Sequence, residues 1–152
     1  MQFRIHAEII ARFPETKLGV LVLKYTTNPP SSPQIQQALQ GASENVRTTY
    51  TVESLLTDRR IARWREIYSL FGAKPRDYRS SIESLGRRCV NGKGVPSIST
   101  LVDIYNTISL KYFLTAGGED LDHIEGDIEL AVAGTDEPTT KLLGDAEAQS
   151  PF

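Results

Sequence analysis

The residues of this chain best suited to meet a charged ligand lie in one stretch. Between Arg59 and Lys93 stand ten basic residues against three acids, a surplus of seven positive charges. The whole chain carries −2, so the remainder carries −9, and ten of the 19 acids fall between Glu119 and Glu147. A locally basic face is what phosphates meet, whatever the sign of the whole chain. The same run also suits a plain solvated surface. Material for catalysis is thinner. His6 and His123 are the only histidines and Cys89 the only cysteine. An internal disulfide and a Cys-rich metal site are therefore excluded, and no Gly-x-Ser-x-Gly string supports a serine triad. Glu119, Asp120, Asp122 and Glu125 offer oxygens to a hard cation, without the spaced ligands of a calcium loop, and a solvated acidic turn is the preferred reading. Gly92-x-Gly94 lacks the third glycine of a dinucleotide loop. Cys89 reads as a core residue on an apolar helical face. Asp103 and Asn106 share one face of a helix, either hydrogen-bonded locally or turned into a pocket. No cofactor is expected, and these residues alone give no enzyme class.

The elements that must position these groups follow from pattern. A chain of 152 residues is about one domain and can close its own core. Phe3 to Ile10 is apolar enough for a strand, and Leu18 to Thr26, rich in Val, Leu and Thr, reads as a second, more buried one. Asn28 to Pro33 holds three prolines and makes a rigid turn. Gln34 to Ala42 predicts a short helix. Ile61, Trp64, Ile67, Tyr68 and Phe71 recur at three- and four-residue steps, which predicts one helix from Val52 to Phe71, ended by Gly72 and Pro75. Ser80-Ser81-Ile82-Glu83 fits a capping box that opens the next helix, and Asn91-Gly92 stops it. Ile98 to Phe113 predicts the strongest helix, with apolar positions that suit packing on a sheet. Asp127 to Val132 alternates like a strand. The fold class is thus α/β (α+β), a mixed sheet packed with helices. The longest apolar run, Leu18 to Leu23, is six residues, far below the roughly 20 of a membrane span. Charges at Arg4, Glu8 and Arg12 argue against a secretory signal, so a cytoplasmic, soluble protein is expected.

From Trp64 to Ala133 the strings WREIYSLFGAKPRDYRSSIESLGRRC, VPSISTLVDIYNTISLKYF and AGGEDLDHIEGDIELAVA occur in order. Together they resemble the freestanding relatives of the B3/B4 domain of the phenylalanyl-tRNA synthetase β chain. The words that carry the resemblance are Tyr78 to Glu83, Leu101-Val102-Asp103 with Tyr105-Asn106, Ser109 to Tyr112, and Gly117-Gly118-x-Asp120-Leu121-Asp122. The resemblance implies a tRNA-editing fold spanning residues 1–133, with 134–152 as an acidic, polar segment, the remainder of a domain truncated at its C-terminal end. Gly117-Gly118 stands where the synthetase's editing loop carries a histidine, and the synthetase's catalytic glutamate lies further along the domain.

The implied activity is hydrolysis of a mis-attached amino acid from tRNA in trans. The ester is already activated, so a positioned water and donors for the oxyanion suffice. The implied catalytic positions are Asn106, Ser109, Gly117 and Gly118, the glycines because backbone N–H groups without a Cβ approach a ligand closely. Tyr78, Arg79, Ser80, Ser81, Glu83, Asp120 and Asp122 are the implied substrate-binding positions, and Arg76, Arg87 and Arg88 would meet phosphates. The alternatives at each site stay open: Ser80 and Glu83 as a cap, the glycines as a helix end, Asp120 and Asp122 as a fixed turn. The expected partner is mischarged aminoacyl-tRNA, with no membrane and no DNA. The rival function is a non-catalytic RNA-binding module, or an inactive fragment of such a domain.

Overall fold

The computed structural model describes residues 1–24 and 26–133, together with the backbone of residues 140–141 and 147–148. Most of the acidic segment predicted over 134–152 lies outside the described residues. The chain divides into two compact units, Met1–Lys24 with Glu119–Phe152, and Tyr25–Gly118. The result is a helix-rich α/β chain with short two-stranded sheets. No helix among the described residues is long and apolar enough to cross a membrane.

In the first unit β1 (Phe3–Ile5) pairs in parallel with β2 (Ile128–Leu130), Phe3 opposite Ile128 and Ile5 opposite Leu130. Asp127 fixes this register, accepting from the Gln2 backbone N–H at 2.7 Å and from Arg4 Nη2 at 2.7 Å. The strand predicted to run to Ile10 ends early, because α1 (Ala7–Arg12) starts there. His6 caps it, its ring Nδ1 accepting from the Glu8 N–H at 3.3 Å, and Glu8 near the start with Arg12 at the end suits the helix dipole. A 3-10 turn spans Leu121–His123. The backbones of β3 (Thr140–Lys141) and β4 (Glu147–Ala148) pair antiparallel.

Among the described residues of Leu18 to Thr26, 18–24 and 26, the predicted strand does not form. Residues 18–24 have no ladder, and Leu21 is 81% exposed. The composition reported an affinity for burial, whereas a strand exists only through a partner backbone, and among the described residues none is supplied.

The second unit is helical: α2 (Pro33–Thr49), α3 (Val52–Thr57), α4 (Arg59–Leu70), α5 (Ser81–Val90) and α6 (Thr100–Tyr112). Ser32 caps α2, with Pro33 pre-set for its first turn. The helix outruns the predicted Gln34 to Ala42 because Val46 continues the stripe begun by Leu39 and Ala42. The single helix predicted from Val52 to Phe71 breaks at Asp58. That residue both ends α3 and caps α4, its Oδ1 accepting from the Arg60 N–H at 3.0 Å. Leu39, Val46, Leu55, Ile61, Ile82, Cys89, Leu110 and Phe113 form the core, and each fully buried aliphatic side chain contributes about 1.5–3 kcal/mol. α6, expected on a sheet, packs instead mainly on α2, with α5 also in contact.

Candidate nucleic-acid interface

α5 organises the site. Ser80 Oγ accepts from the Glu83 N–H at 3.3 Å and begins the helix. The predicted capping box is only half made, because the Glu83 side chain does not return to Ser80. Its carboxylate is 1% exposed. It accepts from Arg65 Nη1 of α4 at 2.9 and 3.1 Å, and from Arg87 Nε one turn along α5 at 2.9 Å. A carboxylate removed from water needs paired charge, and two guanidinium groups are stronger partners than one neutral backbone N–H. Ile82, Gly86 and Cys89 face the core on the same helix. A Cβ at Gly86 would stand 2.9 Å from Leu55 Cδ1, so the missing side chain lets α3 and α5 approach.

The outer side of α5 and the turns at its ends form a groove of about 310 Å³, lined by Arg79, Ser84, Arg87, Arg88, Asn91 and Lys93. Arg88 Nε donates to the Gly94 carbonyl at 3.0 Å, and Arg79 Nη2 to the Arg76 carbonyl at 3.2 Å. Asn91 Nδ2 donates to the Arg87 carbonyl at 2.8 Å, closing the helix where Gly92 takes a φ of 72°. Of the four cations in the groove only Arg87 has a carboxylate partner among the described residues. Like charges gathered on a concave wall raise the local potential for anions. Arg87, Arg88 and Arg79, singled out from the sequence, therefore come together, whereas Arg76 is exposed beside the groove and does not line it. Ser84, Asn91 and Lys93 were not singled out. The spacing of 84, 87, 88 and 91 places one face of α5 outward, and that signal was available.

The other predicted positions are dispersed. Tyr78 is 42% exposed in the turn before α5, Ser81 is exposed at its first position and Ser80 is buried. Asn106 is half-buried on α6. Ser109 is 1% exposed, and its Oγ finds no hydrogen-bond partner among the described residues. Gly117 and Gly118 are exposed; no described atom lies within 4 Å of a Cβ at Gly117, and neither adopts a left-handed backbone. They do not end α6, which stops at Phe113 with φ 55°. That left-handed phenylalanine is braced by the Tyr50 ring at 5.0 Å and by the Arg60 guanidinium 4.5 Å from its ring centre.

In the other unit Asp120 caps the 3-10 turn, its Oδ1 accepting from the Asp122 N–H at 3.1 Å and its Oδ2 lying 3.0 Å from His123 Nδ1. These contacts, the Asp122 N–H first, hold the Asp120 carboxyl below the ordinary carboxylate range. Asp122 is exposed. Among the described residues no three His, Cys, Asp or Glu side chains gather closely enough to hold a metal ion.

A second groove, of about 370 Å³, lies between α2 and α5 and includes Ser43, Glu44, Arg47 and Cys89. Burial pushes the Cys89 thiol up, against the Ser43 hydroxyl that donates to its sulfur at 3.1 Å. A protonated, buried thiol is inert. Glu44 and Arg47 pair with each other on the exposed side of α2, so this groove lacks the charge surplus of the one on α5.

The B3/4 domain family matches residues 63–151, more than half of the 152 residues. It is the family of a domain in the phenylalanyl-tRNA synthetase β chain, which associates it with tRNA. No curated protein and no solved structure matches the chain. The matched span contains α5, the cationic groove along it, and α6, and the chain belongs to the B3/4 domain family.

Proposed function

We propose that this protein binds aminoacyl-tRNA and hydrolyses a wrongly attached amino acid from its 3′ end. The groove on α5 carries the assignment: four cations converge on it, three of them without a carboxylate partner among the described residues, inside the span that matches the family. Phosphates supply affinity for such a surface and make it salt-dependent. In the reaction water attacks the ester carbonyl carbon, the tetrahedral oxyanion collapses, and the tRNA 3′ hydroxyl leaves with a proton. Gly117 and Gly118 would offer backbone N–H groups to the oxyanion, with no described atom within 4 Å of a Cβ at Gly117 and Tyr105 beside Gly118. Asn106 would orient the ester, and Tyr78, Arg79 and Ser81 lie on or beside the turn leading into α5 as contacts for the acceptor end.

Deacylation of a panel of mischarged tRNAs by the purified chain, with circular dichroism confirming its fold, tests this directly. Selective release of one amino acid is expected. Exchanging Arg87 and Arg88 together for alanine should reduce the slope of log affinity against log salt by about 1.5, the value for two phosphate contacts. An unchanged slope counts against the groove. A second reading, RNA binding without hydrolysis, is favoured by one observation: the groove lining contains no histidine, aspartate or glutamate to act as a base. Tight binding with no release of any amino acid would select it.

A further inference from the structure

We infer that Glu83 is a positioning residue, which from its buried place on α5 orients Arg87 to grip an RNA phosphate; this rests on the tRNA binding proposed above. Arg87 serves two surfaces at once. Its Nε donates to Glu83 Oε1 at 2.9 Å, while its side chain lines the groove with Arg79, Arg88 and Lys93. Its Nη1 and Nη2 donate to no described protein atom. A planar guanidinium held at Nε can turn its free Nη1–Nη2 edge to two oxygens of one phosphodiester, the geometry that makes arginine a bidentate phosphate ligand.

Arg65 completes the device without lining the groove. It donates to both Glu83 oxygens from α4, so the carboxylate keeps a cation even when Arg87 shares its charge with a phosphate. The two arginines and one glutamate carry a net +1, and Arg87 delivers it at the groove. Glu83 is 1% exposed, so it acts through Arg87 and not on the RNA.

Charge counting and positioning predict opposite signs, which makes the test sharp. Binding of a 3′-labelled uncharged tRNA to the full chain is followed by fluorescence anisotropy across a series of KCl concentrations, with circular dichroism for each variant. Glu83→Gln removes a negative charge beneath a cationic groove. If charge alone mattered, it would tighten binding; a glutamine offers the two arginines one neutral acceptor oxygen in place of a charged pair, so Arg87 is held more weakly, binding weakens on the order of tenfold and the salt slope falls by about 0.7–0.9, one phosphate contact. Arg87→Lys keeps the charge and loses the planar fork, and on the order of a tenfold weakening is expected from it as well.

Folded Glu83→Gln that binds as tightly as wild type or more tightly overturns the inference, as does Arg87→Lys with wild-type affinity. Should Glu83→Gln fail to fold, wild-type affinity in Arg87→Lys still overturns the inference. A wild-type chain that binds no tRNA removes the proposed function and this inference together, whereas wild-type binding with indifferent variants removes only the inference.

Discussion

The helical unit buries two carboxylates and settles them by different means. Glu83 on α5 is met by two guanidinium groups. Asp103 on α6 is fully buried and meets no cation among the described residues; it accepts from Ser31 Oγ at 2.6 Å, from Ser97 Oγ, and from the Ile98 N–H at 2.9 Å. Burial pushes the Asp103 carboxyl up, but these hydroxyls and backbone donors outweigh it and leave it below its ordinary value. The donors tell the two roles apart. Those of Asp103 belong to the segments around Ser31 and Ser97, so the acid staples two loops to the start of α6, where Ser99 makes no side-chain cap. The partners of Glu83 are long and amphipathic, and one of them lines a surface groove. A buried acid tied to small neutral donors secures the fold, and one tied to arginines also arranges charge outside it.

The largest expected effect breaks the ionic half of this contrast. Glu83→Ala leaves Arg65 and Arg87 facing one another without a counter-charge, and about 3–5 kcal/mol of stability should be lost in urea unfolding at neutral pH. A loss below about 1 kcal/mol would mean the arginines swing into water at little cost, as exposed pairs do.

Asp103→Ala should follow at about 2–3 kcal/mol, since it strands two hydroxyls and a backbone donor that were bonded to a charged acceptor. Asp103→Asn sharpens the same point through pH. The folded carboxyl lies below the unfolded value near 3.9, so its contribution is complete above that value and is lost as pH falls through the depressed folded one. Asparagine should flatten this acid limb of the stability profile while leaving wild-type behaviour around neutral pH otherwise unchanged in shape. An acid limb identical in wild type and variant would show that Asp103 does not titrate with folding.

Gly86→Ala tests the platform beneath the groove. The new methyl presses on Leu55 at a cost of about 1–3 kcal/mol, and better helix propensity returns up to about 1 kcal/mol. A net loss near 1 kcal/mol is expected, and a stabilised variant would show that Leu55 yields freely. The smallest effect belongs to Arg47→Ala, which removes an exposed partner of Glu44 on α2; the urea midpoint should stay where it is.

What the sequence made legible follows the range of the interactions concerned. Helix ends set by neighbours a few residues away were readable: Ser80 caps α5 and Asn91-Gly92 closes it, as their types require. Asp58 was equally local, yet the apolar period running through it to Phe71 hid the break. The capping-box spelling at Ser80 to Glu83 was true of the serine and not of the glutamate, because Arg65 lies 18 positions away and no local pattern reports it. Leu18 to Leu23 announced burial without naming a partner. In the groove, charge revealed Arg87 and Arg88, while Ser84 and Asn91 needed the outward face of α5 to be known. Ser109 illustrates the remaining gap: its neighbour Leu110 is core, and only the packing of α6 on α2 and α5 buries the hydroxyl with it.

Asp58 has a further consequence for how the protein breathes. Its backbone N–H closes α3 on Leu55 and Ser54, its Oδ1 opens α4, and its Oδ2 receives the Tyr50 hydroxyl at 3.2 Å and Arg60 Nη2 at 2.8 Å. Asp58 is common to both helix ends, with Thr57 Oγ1 on the Ser54 carbonyl at 3.1 Å and Arg60 Nη1 on the Tyr112 carbonyl at 3.2 Å as further ties. Amide hydrogen exchange should therefore register residues 52–57 and the first turn of α4 opening together, coupled through the catch they share.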